Sequence, residues 1–409
     1  MTIKMFVEPK VRGFICTTAH PTGCKSEVQR QISYVKNQNY NIDDKSPKSV
    51  LVIGASTGYG LASRICAAFG FKAKTLGVFF ERPAAQNRTA SAGWYNSVAF
   101  EEAAKKEGLF AKSINGDAFS CEIKREAIDI IKKEMDGKID LVIYSLASPK
   151  RNAHGVVWQS ALKPVGEAYS SKTINIMSGE VSNVNIEPAT DDEIAHTEQV
   201  MGGEDWQFWI EDLLKAGVLS HGALTVAYSY IGPEMTYPIY RNGTIGKAKE
   251  HLEKTARVLA KIMQEQCHGD AVVSVNKGLV TQASSAIPVV PLYMSIMYKM
   301  MKAKGLHEGC IEQMNRLFKT KLYHNNPLPV DEHCRIRLDD WELRQDVQEE
   351  IEKIFNQINT ENVDALSDIA GYRDEFYKLF GFNCQDVDYS LDVDVELNVP
   401  SIRLEVANS

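Results

Sequence analysis

Tyr240 and Lys249 are residue types suited to proton transfer beside a nucleotide sugar. A phenol can supply a proton, and an ammonium can grip ribose hydroxyls and favour the phenolate. They stand in a Tyr-x8-Lys spacing, nine positions apart. On a continuous helix that is about two and a half turns, so the side chains would point opposite ways. The pair therefore works only if Tyr240 precedes the helix. Asn242 and Gly243 supply a break there, and Thr244 is a good N-cap. Taken alone, the two residues read as a surface Tyr and Lys at a helix start; an upstream turn gives them meaning.

That turn holds Gly54, Gly58 and Gly60 in a G-x3-G-x-G spacing, rather than G-x-G-x-x-G. It follows a short β-branched run at 49–53 and precedes an alanine-rich helical stretch at 61–69. Glycines here let the backbone turn sharply, bring its amides to a pyrophosphate and aim a helix N-terminus at the negative charge. The competing reading is an ordinary strand–helix turn. Glu81 ends the next strand, about 20 residues beyond the last glycine. An acid there accepts hydrogen bonds from adenosine ribose hydroxyls and repels a 2′-phosphate, which favours NADH over NADPH. Arg82 beside it argues the other way, with less weight because Glu81 ends the strand. Asp117, after Gly116, closes the third strand, where it can bond an adenine amino group. Ser145-Leu146-Ala147 closes the fourth, where small residues allow close approach. Ligands of open α/β sheets collect at such carboxyl ends, so these positions cohere.

Other candidates carry less. Cys16, His20 and Cys24 have a C-x3-H-x3-C spacing, but no fourth ligand is evident and Pro21 and Gly23 interrupt a helix. A loop with incidental thiols is the better reading, and no metal is expected. Cys310 and the His333-Cys334 pair have no recognisable nucleophile context. Met294, Met297, Met300 and Met301 read as core packing, with the option of lining a site for a hydrocarbon tail.

The elements that must position these groups alternate. Strand-like runs lie at 49–53, 74–80, 109–114, 139–146, 223–231 and 271–275, with helical periods at 61–69, 122–135, 206–214 and 245–264. This alternation predicts an α/β fold, a Rossmann-type doubly wound parallel sheet covered on both faces. Residues 1–48 read as a polar loop feeding the first core strand. Residues 148–200 are rich in Pro, Gly, Ser and Asn and read as an insert of loops and short strands. After Gly278 the chain reads as mainly helical to about 382, then ends in an acidic alternating tail. The expected organisation is one elaborated domain: a core at 49–280, the insert, and a helical extension at 282–382 that adds substrate-covering elements.

The 409 residues carry a net charge of −7, which gives no reason to expect nucleic acid or an anionic membrane surface as partner. Eight cysteines without a CxxC pair read as reduced thiols. No apolar run reaches the ~20 residues of a membrane span, and no signal-peptide pattern opens the chain. A cytoplasmic protein without membrane insertion is expected, and nothing in the sequence demands an oligomer, so a monomer is the expectation.

With these pieces assembled, the chain resembles the trans-2-enoyl-CoA / enoyl-acyl-carrier-protein reductases of the bacterial FabV type. The resemblance runs almost end to end through RGFICTTAHPTGC, VLVIGASTGYGLASR, GVFFERP, GWYN, INGDAF, YSLASP, VMGGEDW, YSYIG, VSVNKGLVTQASSAIP and KGLHEGCIEQ. Tyr-x8-Lys is the distinguishing spacing of that family. The resemblance implies NADH contacts at Gly54, Ala55, Ser56, Thr57, Gly58 and Tyr59, at Phe80 and Glu81, and at Asp117 and Ala118. It adds Leu146, Ala147, Lys249 and the segment Leu279, Val280 and Thr281. It implies Tyr240 as proton donor and Tyr230 as a substrate contact.

The implied chemistry is reduction of a carbon–carbon double bond conjugated to the thioester of an enoyl-CoA or enoyl-acyl-carrier-protein. Tyr240, and also Tyr230, would hydrogen-bond the thioester oxygen as its charge grows, while Lys249 would lower the tyrosine's pKa. Two other readings stay open on the residues themselves. One is a short-chain-type NAD-dependent alcohol dehydrogenase or ketoreductase, with Ser145 or Ser148 as its serine. The other is a non-catalytic dinucleotide sensor.

Overall fold

The computed structural model describes residues 4–13, 15–85, 88–153, 155–323 and 327–403; Phe14 of the RGFICTTAHPTGC motif lies outside them. Seven short runs form one parallel sheet: β1 (Ser49–Ile53), β2 (Lys74–Phe79), β3 (Ala111–Asn115), β4 (Ile139–Tyr144), β5 (Leu219–Ser229), β6 (Asp270–Val275) and β7 (Arg335–Arg337). Their spatial order is β7-β6-β5-β4-β1-β2-β3. The order reverses between β1 and β4, which opens a crevice beyond their carboxyl ends. Every side chain of β1 is buried, as expected of a strand covered on both faces.

Helices α1 (Pro21–Lys36), α2 (Gly58–Ile65), α3 (Ala92–Lys106), α4 (Cys121–Glu134), α5 (Asp191–Met201), α6 (Glu204–Lys215) and α7 (Thr244–Cys267) are followed by α8 (Val290–Ala303), α9 (Cys310–Leu317), α10 (Gln345–Gln357), α11 (Val363–Leu366) and α12 (Ile369–Lys378). Alternation along β1 divides the core. Val50 and Val52 pack with residues of α1, α3 and α8, whereas Leu51 and Ile53 pack with residues of α4, α6 and α7. Among the described residues, no helix is long and apolar enough to cross a membrane.

Four local expectations are corrected. Residues 1–48 contain a 16-residue helix rather than only loop. Pro21 sits in its first turn, where the missing N–H has no helical partner to lose, and His20 caps it by accepting from the Gly23 amide at 3.2 Å. Val28, Ile32 and Val35 then give the helix a buried face.

The 148–200 insert holds the expected short strands, paired as Lys150–Ala153 with Val156–Gln159 and Tyr169–Ile174 with Val181–Ile186. It also ends in α5, announced by a capping box of Thr190 and Glu193. The predicted helical extension contains β7, an edge strand too short to leave a pattern. Gly243, not Thr244, occupies the N-cap of α7; the Thr244 hydroxyl donates to the Ala161 carbonyl, tying the insert to the helix start.

Candidate active site

The glycine turn forms where β1 passes its last hydrogen bond. Gly54 has φ +88°, and a Cβ there would lie 2.3 Å from the Ser145 carbonyl oxygen, so only glycine permits this approach of β1 to β4. A Cβ on Gly60 would meet the Gly54 oxygen at 1.8 Å, which lets α2 pack down on the turn. Gly58 differs. Its Cβ direction is open as far as the Thr281 methyl at 3.9 Å, leaving a gap between the N-terminus of α2 and the 279–281 segment. Thr57, Gly58, Leu279, Val280 and Thr281 line this gap together.

Toward the outer strands, Ser56 donates to Glu81 at 2.6 Å, which fixes the carboxylate beside the turn. The Asn115 amide clasps the Glu81 backbone, accepting from its N–H at 2.7 Å and donating to its carbonyl at 2.9 Å. Phe80 is 79% exposed and points its ring to solvent next to that carboxylate. Asp117 accepts from the Phe119 amide, and the Ala118 carbonyl is held by Lys124 Nζ and Trp209 Nε1. Ala55 is fully buried and contributes backbone only.

Toward the inner strands, a cavity is lined by Tyr59, Leu146, Ala147, Tyr230, Tyr240, Lys249, Leu279 and Thr281, with Ile287, Val290 and Met294 as its apolar wall. The tight turns around residues 232–243 place Tyr240 ahead of α7, as the spacing required. Its ring meets that of Tyr230 edge to face, with centroids 4.8 Å apart. Of the four methionines expected along α8, Met294 lines the cavity, Met297 and Met301 are core, and Met300 is only partly buried against that core.

One expectation about the Tyr240–Lys249 pair is corrected: burial pushes the Tyr240 phenol well up, rather than Lys249 drawing it down. Desolvation instead lowers Lys249 to about 8, against the pull of Glu253, and its Nζ donates to the Tyr228 carbonyl at 3.2 Å. Tyr240 is thus a phenol that holds its proton until something takes it. Tyr230 is also committed elsewhere: its hydroxyl donates to Glu342 at 2.8 Å.

The sequence reading missed Ser229, Asn276 and Lys277, which line the same cavity. Ser229 Oγ and Asn276 Nδ2 are buried without a partner among the described residues, aimed where a polar ligand could satisfy them. Polar residues closing β5 and directly following β6 were the available signal. Together with the open gap at Gly58, these orphaned atoms make the cleft fit a dinucleotide. Of the Cys16, His20 and Cys24 triplet, the last two serve α1, while the Cys16 thiol donates to the Thr18 carbonyl at 3.3 Å. Cys24 is buried, His20 is the cap, and its ring packs at 4.8 Å on Tyr389.

Comparison with known proteins decides the family. A model described as the trans-2-enoyl-CoA reductase catalytic region matches residues 88–323, more than half of the chain. The chain belongs to the trans-2-enoyl-CoA reductase family. A model of the NAD(P)H binding domain of trans-2-enoyl-CoA reductase matches residues 6–86, the part holding the glycine turn and Glu81. The chain is 59% identical over 407 residues to an enoyl-[acyl-carrier-protein] reductase [NADH] of Coxiella burnetii, covering 99% of this chain and 100% of the relative. It is 56% identical to the trans-2-enoyl-CoA reductase [NADH] of Ruminiclostridium cellulolyticum, covering 97% and 100%. Its fold matches the Clostridium acetobutulicum trans-2-enoyl-CoA reductase in complex with NADH, with TM-score 0.93 and 46% identity over 98% of this chain and 100% of that one. The Treponema denticola enzyme in complex with NAD gives 0.90 and 49% over 96% and 98%.

A third model, described as an enoyl reductase FAD binding domain, matches residues 330–393. The residues of this reductase do not fit a flavin there. Val347, Ile351, Val363, Ile369, Tyr372 and Phe376 bury their side chains in the main core. The two glycines are hemmed in, since a Cβ on Gly371 or Gly381 would fall 2.3 Å from Asp368 or 2.5 Å from Cys24.

Proposed function

We propose that this protein catalyses the NADH-dependent reduction of the carbon–carbon double bond of trans-2-enoyl thioesters, giving the saturated acyl thioester. The observation that carries this reading is the single cavity joining Tyr240, Tyr230 and Lys249 to Leu146, Ala147 and the 279–281 segment. Family membership supports it over the alcohol dehydrogenase or ketoreductase alternative.

Gly54 to Tyr59 would hold the pyrophosphate with backbone amides, and Glu81 the adenosine ribose. Phe80, Asp117 and Ala118 would flank the adenine. Leu146, Ala147, Lys249 and Leu279 to Thr281 would hold the nicotinamide half, which the orphaned Ser229 and Asn276 groups also face. When bound, NADH supplies the hydride that adds to the β-carbon. The electron pair of the double bond then moves toward the thioester oxygen. Tyr240, kept protonated by burial, donates a hydrogen bond to that oxygen, strongest as charge develops. The proton that completes the α-carbon comes from Tyr240 directly or through water. Tyr230 holds the substrate beside it, and Met294, Ile287 and Val290 give the acyl chain an apolar wall.

We read the protein as a cytoplasmic monomer taking enoyl-CoA or enoyl-acyl-carrier-protein as substrate partner. We also read it as one elaborated domain. β7 completes the sheet from the C-terminal part, and Lys4–Met5 pairs with Val393–Asp394. NADH consumption with crotonyl-CoA, set beside a ketoacyl thioester, tests the function. Turnover of only the ketone overturns it.

A further inference from the structure

Glu342 lies outside every motif that pointed to the site, yet its side chain ends at the cavity wall. It is fully buried, in the loop between β7 and α10. One carboxylate oxygen accepts from both the Tyr230 and Tyr293 hydroxyls at 2.8 Å, and the other accepts from the Gly278 amide at 2.7 Å. Gln348 closes the arrangement, donating to the Tyr293 hydroxyl at 3.1 Å and to the Glu342 carbonyl at 2.7 Å. A carboxylate buried for packing alone is costly; three donors converging on it show a group held in its acceptor state.

A phenol has one O–H proton. While that of Tyr230 points at Glu342, Tyr230 can offer the cavity only lone pairs and its ring edge. Tyr240, whose hydroxyl has no partner among the described residues, is the phenol with a proton to give. We propose that Glu342 is a positioning residue that takes the Tyr230 proton, fixes that ring against Tyr240, and so leaves donation to the thioester oxygen to Tyr240 alone. The same carboxylate pins the Gly278 amide, joining the phenol pair to the start of the 279–281 segment. The proposal rests on the reading that Tyr230 and Tyr240 face the reacting thioester.

The groups facing Glu342 are Lys277 at the end of β6, Tyr293 on α8, Tyr230 after β5, and Tyr59 on α2. Burial raises the Glu342 pKa above the usual carboxylate range, outweighing Lys277, the Gly278 amide and both phenols, which lower it. The device works as an anion, so its contribution is present above the Glu342 pKa and lost as pH falls through it.

The experiment compares kcat, KM and NADH affinity of the full chain for wild type, Glu342→Gln, Tyr230→Phe and the double variant, using crotonyl-CoA across pH. Glu342→Gln should lower kcat by about tenfold to 100-fold, with NADH affinity held. It should add little once Tyr230 is Phe, because both changes break the same contact. The acid limb of the wild-type kcat profile should vanish in Glu342→Gln. In Tyr293→Phe the limb should move to higher pH, since one donor that stabilises the anion is gone; this arm stands even if Glu342→Gln does not fold. A Glu342→Gln loss undiminished in the Tyr230→Phe background overturns the proposal, as does an acid limb unmoved in Tyr293→Phe. Full kcat in Glu342→Gln while Tyr230→Phe is impaired overturns it too, with the substrate reading intact. Full kcat in Tyr230→Phe instead removes Tyr230 from the reacting centre and overturns that reading.

Discussion

Tyr230 and Tyr240 meet edge to face, with ring centroids 4.8 Å apart and planes at 76°. An edge-to-face contact restrains both rings, because neither can swing without losing it. Their hydroxyls are unequal. One is tied to a carboxylate and the other faces the cavity.

Tyr240→Phe tests that inequality. It removes the only hydroxyl of the pair free to donate and leaves the ring packing in place. Turnover of crotonyl-CoA should fall about 100-fold or more, with NADH affinity, measured by fluorescence, unchanged. Unchanged turnover would remove Tyr240 from the reaction.

Lys249 should impose a basic limit on cofactor use. Its ammonium is lowered to about 8 by burial, so the cation is present below that pH and lost as pH rises through it. kcat/KM for NADH should fall across pH 8. In Lys249→Arg the guanidinium stays charged, so whatever activity persists should show no such fall. The pH profiles of the two proteins check this.

Glu81 should set the choice between the two nicotinamide cofactors. Glu81→Ala should improve NADPH use relative to NADH by about tenfold, equivalent to about 1.4 kcal/mol. Gly93→Ala should act in the same direction with Glu81 itself unmutated, since its Cβ would fall 2.0 Å from the Glu81 carboxylate and displace it. The ratio of kcat/KM values for the two cofactors measures both. An unchanged ratio in both variants would take Glu81 out of the ribose site.

Asp205 should matter for stability. It pairs with Lys124 at 2.6 Å, both buried, and accepts from the Tyr144 hydroxyl at 3.1 Å. Asp205→Ala strands the buried ammonium and should cost about 3 kcal/mol, read as a lower urea midpoint. Lys124 also holds the carbonyls of Ala118 and Phe119, so NADH affinity should weaken in the same variant.

The sequence alone was sufficient for the sheet strands from 49 to 275, because buried parallel strands are apolar runs bounded by turn residues. It also specified the glycine turn, Glu81, and the need for Tyr240 to precede α7. Each is a local signal, carried within one turn or one element. It left α1 looking like loop, since Pro21 and Gly23 read as breakers until the fold shows them in the first turn with His20 as cap. The three residues of β7 are too few for a period and become a strand only through pairing with β6. The direction of the Tyr230 hydroxyl was decided last of all. Glu342 is 112 residues away in the chain, so only tertiary packing brings carboxylate and phenol within 2.8 Å, and no spacing rule spans that separation. Local chemistry is written in neighbouring residues; which phenol keeps its proton for the substrate depends on a contact that exists only in the folded chain.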